Sequence, residues 1–467
     1  MKLNFITYTT NSETNDQGFD GSFDDFEINS ADSDSNPAYA CVSYAWGDEF
    51  IPHPFDNNLS ISKRTLSVLN NAMRAYQNLQ AIGERDLPIL DKFWLDSLCM
   101  PSSGIEIDQH IFLLGEIYNK SSMVIVVLSS EFSKVLEKVK DKQPFTAEDF
   151  EIINNDPWVS RYWTYQEIVR SRKVYLISES QGSSDAHASE FFDKLTQEFD
   201  VFCMSRNFKT LESLKKYPNI CALEAVILDE RIQEDRSIYQ VMVNMEYRQS
   251  NNDNSKLLSI VSFLGGWKNL DVLHYESDYT KLYELCKRNN DFSFIFNTSR
   301  SRESHHQKWK PTSYDFTPIY AWLYCWGSGQ YGELHDDYLF LKDMILASKG
   351  VVSTEVVTYL TKTLKDTVRC ESLAIEDLIS TNLTELHFDG CFAPIELERG
   401  FYFDQFTNEF KENNIIAICN GIQWTFGAPA MKLAKRPSSD IYDFVSAGVF
   451  FGRVREKNIN LSSIKID

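Results

Sequence analysis

The first 180 residues switch repeatedly between two spacings of apolar side chains. "YACVSYAW", 39–46, is a short apolar run of strand length. "SKRTLSVLNNAMRAYQNL" then places Leu66, Leu69, Met73 and Tyr76 at helical spacing. "KFWLDSLC", 92–99, predicts a second strand that ends at the turn signal "MPSSG". "IEIDQHIFLLGEIYNKS" returns to the helical period through Ile107, Ile111, Leu114 and Ile117. "SMVIVVLSS" is continuously apolar, as a strand covered on both faces must be. A charged helical insertion, 131–155, comes next. "DPWVSRYWTYQEIVRS", 156–171, reads as a helix, and "RKVYLIS" as the following strand. Strand and helix in alternation predict an α/β fold, a parallel sheet flanked by helices with right-handed crossovers.

Beyond 180 the pattern changes. "SIYQVMVNMEYRQS", "NSKLLSIVSFLGG" and "DYTKLYELCKR" are helical, so 181–395 is expected to be mainly helical. "NNIIAICNGI", "QWTFGAPAMKLA" and "FVSAGVFFGRV" are strands parted by turns, which predicts a small antiparallel β region over 396–467. Residues 11–36 are polar and acidic without Lys or Arg, and read as a solvated extension of the 1–180 domain. No internal repeat marks the chain.

Composition narrows the function. A formal net charge of -21 over 467 residues argues against a general basic surface for nucleic acid, and against an anionic membrane as partner. Nine cysteines, widely spaced and without a CxxC pair, suit reduced thiols in a cytoplasmic protein. No metal site is expected. "DSDSN" opens like a calcium loop, but Pro37 stands where glycine is needed and Ser43 where the bidentate glutamate is needed.

Four motifs in order carry a resemblance. "YACVSYAWGD" supplies Ser43, Tyr44, Trp46, Gly47 and Asp48; "FWLDSLCM" supplies Trp94, Asp96 and Cys99. "EIYNKSSMVIVVLS" follows, and "WVSRYWTYQEIV" supplies Arg161, Trp163, Thr164, Gln166 and Glu167. This order resembles the fungal heterokaryon-incompatibility (HET) domain over roughly 39–178. The chain departs after Cys99, where "MPSSGIEIDQ" replaces the family's Ile-Asn-Gln, so no role for that loop's side chains carries over. The departure makes it similar to a distant relative, the TIR domain.

The resemblance implies a TIR-like sheet and, for catalytic TIR domains, cleavage of NAD⁺ to nicotinamide and ADP-ribose by one glutamate. Glu167 is the position that matches it. One carboxylate suffices in principle, because nicotinamide leaves as a neutral base and needs no general acid, unlike a glycosidic oxygen. The carboxylate need only stabilise the oxocarbenium-like charge, without a raised pKa. Tyr44, Trp46, Asp96, Cys99 and Trp163 are the expected substrate-binding residues, with aromatic faces for the pyridinium. Ser43, Gly47, Asp48, Arg161 and Gln166 complete the motifs as structural residues. NAD⁺ enters as substrate, not cofactor.

Plainer readings stand beside these. Glu167 also suits a surface pair with Arg170 at i+3. Trp163 suits a core, Asp96 and Asp48 suit turn caps, and Cys99 suits a small buried residue. "GSGQYG", 327–332, fits G-x-G-x-x-G, but follows "IYAWLYCW" rather than a Val/Ile strand, so a turn is expected. His305 and His306 lie in polar surroundings, a solvated loop. Function divides between a cell-death or defence NADase activated by a trigger or by homo-oligomerisation, a non-catalytic self-association module, and a regulator that binds NAD⁺ or a cyclic derivative without cleaving it.

Overall fold

The computed structural model describes residues 2–9, 21–32, 35, 37–83, 87, 89–101, 110–180, 185–206, 216–224, 236–246, 248, 255–268, 278–297, 307–310, 318–319, 325, 327–349, 391–392, 401–403, 411–423, 427–451 and 461–467. The chain separates into two compact units, one Met1–Arg206, Asn219–Arg231 and Gly265–Leu273, the other Asn207–Pro218, Ile232–Leu264 and His274–Asp467.

The first unit is built on a mixed sheet. Its strands are β1 (Lys2–Tyr8), β2 (Phe26–Asp32), β3 (Ala40–Tyr44), β6 (Lys92–Trp94), β7 (Met123–Leu128), β8 (Val174–Ser178) and β9 (Ala186–His187), and a separate hairpin joins β4 (Phe50–His53) to β5 (Asp56–Ser62). The spatial order is β2-β1-β6-β3-β7-β8-β9. Strands β6, β3, β7 and β8 pair in parallel, and β1, β2 and β9 add antiparallel edges. The parallel centre is the predicted one; the antiparallel edges are not. Every residue of β3, β7 and β8 is buried, the reason their sequences lack alternation.

Helices cover the sheet: α1 (Thr65–Ala81), α2 (Asp96–Cys99), α3 (Leu114–Lys120), α4 (Ser133–Lys140), α5 (Ala147–Asn155), α6 (Thr164–Val169) and α7 (Ala188–Ser205). Helix α1 buries Val68, Leu69, Ala72, Met73, Tyr76 and Leu79, one apolar stripe at three- and four-residue steps. A capping box starts α5: Thr146 and Asp149 exchange hydrogen bonds, the Thr146 amide reaching the carboxylate at 2.6 Å.

Three expectations need correction here. Residues 26–32 form β2 rather than solvated loop; its polar side chains bond outward, Ser30 to Asn4 and Asn29 to Thr7, while Phe26 is buried. Residues 11–20 lie outside the described residues. The second strand stops at Trp94, because Asp96 accepts from the Ser97 amide at 2.6 Å and turns the chain into α2. Helix α6 starts only at Thr164; Asp156 accepts from the Trp158 amide at 2.9 Å, and the turns that follow fill the intervening positions.

In the second unit, α8 (Ile238–Glu246) and α9 (Asp278–Asn289) accompany a β sheet. Its strands include β10 (Gly332–Leu334), β11 (Leu339–Lys349), β14 (Asn414–Ile418), β15 (Gly427–Lys435), β16 (Ile441–Phe451) and β17 (Leu461–Ile466), with short β12 (Cys391–Phe392) and β13 (Phe401–Phe403) beside them. Strand β17 pairs with both β11 and β16, so β11-β14-β15-β16-β17 close on themselves. Closure removes free edges. It also requires a parallel contact, β16 with β17, inside a region expected to be wholly antiparallel. Ile345, Ile416, Ile418, Ala430 and Phe450 share its buried core. The glycines of "GSGQYG" serve close packing: Gly327 and Gly329 have φ of +132° and +102°, and a Cβ on Gly329 would overlap the Asp291 carboxylate. His305 and His306 lie outside the described residues. Among the described residues, no helix is long and apolar enough to cross a membrane.

Candidate functional site

A cleft of about 360 Å³ opens at the carboxyl ends of β3 and β6. Ligands of parallel sheets bind at such ends, where loops diverge and backbone groups are left unpaired. Tyr44, Trp46, Asp96, Arg161, Trp163 and Glu167 all line it. Five of these are the predicted catalytic and substrate-binding residues; Arg161 was expected only as a structural one.

Glu167 is half-buried on α6 and its carboxylate accepts a hydrogen bond from the Ser43 hydroxyl. Ser43 in turn accepts from the Trp158 indole N–H at 2.6 Å. Burial pushes the Glu167 carboxyl up to about 7, opposed by the Ser43 hydrogen bond and reinforced by the negative charge of Asp96. The reaction that the resemblance implies needs no raised pKa at this position, yet burial supplies one. Trp163 stands one helical turn before Glu167 and shares the cleft with it.

Asp96 lines the same cleft. Both its oxygens accept from the Trp46 indole, at 3.2 and 3.1 Å, so aromatic and carboxylate are fixed together. Burial raises its pKa as well, while Arg161 and the Ser97 amide oppose the rise. Arg161 also reaches the Tyr44 carbonyl at 3.5 Å. Trp46 is 38% exposed and presents open ring surface. Tyr44 is buried, its hydroxyl bonded to Thr65 at 2.7 Å and Ser97 at 3.0 Å; burial raises its phenol pKa, so it stays a neutral wall.

Not every predicted residue reaches the cleft. Cys99 is wholly buried, accepts from the Leu95 amide at 3.4 Å, and has its thiol pushed up to about 12 by burial. The structure places it in the core under α2, away from the cleft wall. Asp48 is exposed beyond the Trp46 turn. Gly47 donates its amide to Ser62 at 3.2 Å, and a Cβ there would press on the Arg64 side chain at 3.1 Å. Gln166 is buried on α6 and is not among the cleft-lining residues.

Several wall residues had no sequence signal. Leu59 and Ser60 come from the β4–β5 hairpin, Met100 and Pro101 from the loop after α2, and Ile111, Leu114 and Tyr118 from the stretch around α3. Tyr118 is buried against Glu167, whose charge adds to burial in keeping the phenol protonated. Trp158 could have been marked by its place in "DPWVSRYW", but not its partner 115 residues earlier.

The arrangement can do three things: offer indole surface to a flat aromatic cation, accept hydroxyl hydrogen bonds on two carboxylates, and hold one carboxylate ready to take a proton near neutral pH. Residues 39–167 match the family model described as heterokaryon incompatibility protein (HET), which ends on Glu167 and so contains every cleft residue named above. No curated protein and no solved structure matches the chain to a significant level.

Proposed function

We propose that the 1–180 domain is a TIR-like cell-death or defence effector that hydrolyses NAD⁺ to nicotinamide and ADP-ribose, with Glu167 as the catalytic carboxylate. The observation that carries the reading is Glu167 itself: half-buried, held by Ser43, and facing a cleft lined by Trp46 and Trp163. The pyridinium stacks on indole, and the ribose hydroxyls bond to Asp96 and Glu167. The C1′–N bond breaks with its electron pair going to nicotinamide, and the developing positive charge on the ribose is countered by Glu167. Water then adds to C1′ and gives its proton to the same carboxylate, whose pKa of about 7 suits a base at neutral pH. The bound cation favours the ionised form, so substrate binding itself charges the base.

The helical and β regions hold the effector inactive or sense a trigger, and the protein acts in the cytoplasm. Homo-oligomerisation is the proposed activating step. Met100 and Pro101 line the cleft where the chain departs from the family pattern, so a packed neighbour that moves them changes how the ribose is held.

Nicotinamide release from NAD⁺ by purified protein is the decisive measurement. Glu167→Gln should lower it by about 10²–10³-fold, the usual loss when a transition-state charge partner is removed. In the wild type, kcat/KM should rise with pH through about 7, since the base must be unprotonated in the free protein. Equal turnover by Glu167→Gln removes the assigned role, and tight NAD⁺ binding without turnover selects a binding regulator instead. Serial dilution to the monomer, followed by light scattering, tests the oligomer: specific activity should fall with dissociation.

A further inference from the structure

The catalytic reading leaves open what keeps a carboxylate usable in a cleft that resists its charge. Ser43 and Trp158 are both buried, each 2% exposed, and they join β3, the loop before α6 and Glu167 in one chain of hydrogen bonds. Its direction is set by chemistry. Indole nitrogen is a donor only, so Trp158 must give its proton to the Ser43 oxygen at 2.6 Å. Serine has one proton, and among the described residues the Ser43 side chain has these two partners alone. That proton therefore goes to Oε2 of Glu167. We infer that Trp158 and Ser43 form a one-way donor relay that orients Glu167 and holds it ionised.

The relay penalises protonation. A proton on Oε2 would face the Ser43 hydroxyl, whose own hydrogen would then lose its acceptor inside the protein. The base of the relay is fixed: Asp156 accepts from the Trp158 amide at 2.9 Å and from the Ser129 amide at 3.0 Å, tying the indole to the end of β7. Other groups act on Glu167 from the elements around it. Asp96 and the buried Cys41 thiol disfavour its charge, whereas Arg161, the Trp158 indole and a hydrogen bond from the Tyr118 hydroxyl favour it. Trp158 and Ser43 are thus positioning residues, and this assignment of their role rests on Glu167 being the catalytic carboxylate.

The test titrates Glu167 directly in the full chain. Protein carrying ¹³C-labelled glutamate carboxyls is followed by NMR from pH 5 to about 9, a span that brackets the expected midpoint, with the Glu167 signal assigned by its loss in Glu167→Gln. Ser43→Ala should raise the midpoint by about 1 pH unit, a tenfold change in proton affinity. The rising limb of kcat/KM should move by the same amount and approach wild type at alkaline pH. Ser43→Thr keeps the hydroxyl and should restore the wild-type midpoint. Trp158→Phe should give a smaller rise, and it decides the matter if Ser43→Ala does not fold. Unchanged midpoints in the folded variants overturn the relay, as does a loss of activity by one factor at every pH. The titration needs no substrate, so a shifted midpoint in a chain that releases no nicotinamide keeps the relay and removes the NADase reading.

Discussion

Glu167 in the first unit and Asp291 in the second are both carboxylates drawn into the protein, and burial raises the pKa of each. Their partners differ in kind. Asp291 is 4% exposed and accepts from three backbone amides, Ile238 at 2.7 Å and Ser293 and Gln330 at 2.9 Å each. It starts α8, fastens the glycine turn through the Gln330 amide with Gly329 packed against its carboxylate, and is buried. Glu167 has a side-chain relay behind it and a cleft in front. Burial alone does not distinguish structure from chemistry. A carboxylate saturated by backbone donors is committed to the fold, whereas one with an oxygen facing a cleft remains available to a substrate.

Substitution should separate the two sharply. The largest expected effect is on stability at Asp291. Asp291→Ala leaves three buried amides without an acceptor and should cost about 3–5 kcal/mol, read as a lower midpoint in urea denaturation. A variant as stable as wild type would break the contrast, because the backbone bonds would then be incidental.

Glu167 should behave in the opposite way. Its folded pKa of about 7 lies above the ordinary 4.5, so between those values the native state binds more protons than the unfolded state. Stability from this group is therefore lost as pH rises through that window. Glu167→Gln escapes the penalty. It should match wild type below about pH 4.5 and exceed it above about pH 7, by an amount on the order of 1–3 kcal/mol. Melting both proteins across the pH range checks the sign. A variant less stable than wild type at pH 8 would place Glu167 with Asp291 as a structural carboxylate.

The smallest effect sharpens the cleft side of the comparison. Trp163→Ala removes one aromatic wall and should raise KM for NAD⁺ by roughly 2–30-fold, the equivalent of about 0.5–2 kcal/mol of cation–π contact. Melting should change little, since Trp163 borders the cleft rather than the core. Initial-rate kinetics at fixed pH distinguish this from a loss in kcat.

Much of this was written locally. "MVIVVL" could only be a strand covered on both faces, and Leu66, Leu69, Met73 and Tyr76 could only share one helix face. The C-terminal strands were legible in the same way, as apolar runs between turns. Glu167 was marked by its motif, and Tyr44, Trp46, Asp96 and Trp163 by theirs. Strand β2 was hidden because its sheet is solvated on the outward side, which makes the sequence as polar as a loop. The burial of Cys99 was hidden for a related reason. Its motif neighbours face the cleft, but α2 turns the thiol inward, and a four-residue helix has no period to reveal it.

Local order of apolar side chains is set by neighbours within a few residues, so the sequence by itself determined the strands, the helices and the motif carboxylate. The cleft depends on contacts between distant segments. Ser43 meets Glu167 across 124 residues, and Trp46 meets Asp96 across 50. Whether Glu167 paired with solvent or with a buried hydroxyl was decided only when β3, β6 and α6 packed together. The closure of β11 through β17 was decided in the same way, since it joins ends of a segment more than a hundred residues long. Electrostatics follows from that packing: desolvation depends on every atom nearby, and no spacing along the chain records it.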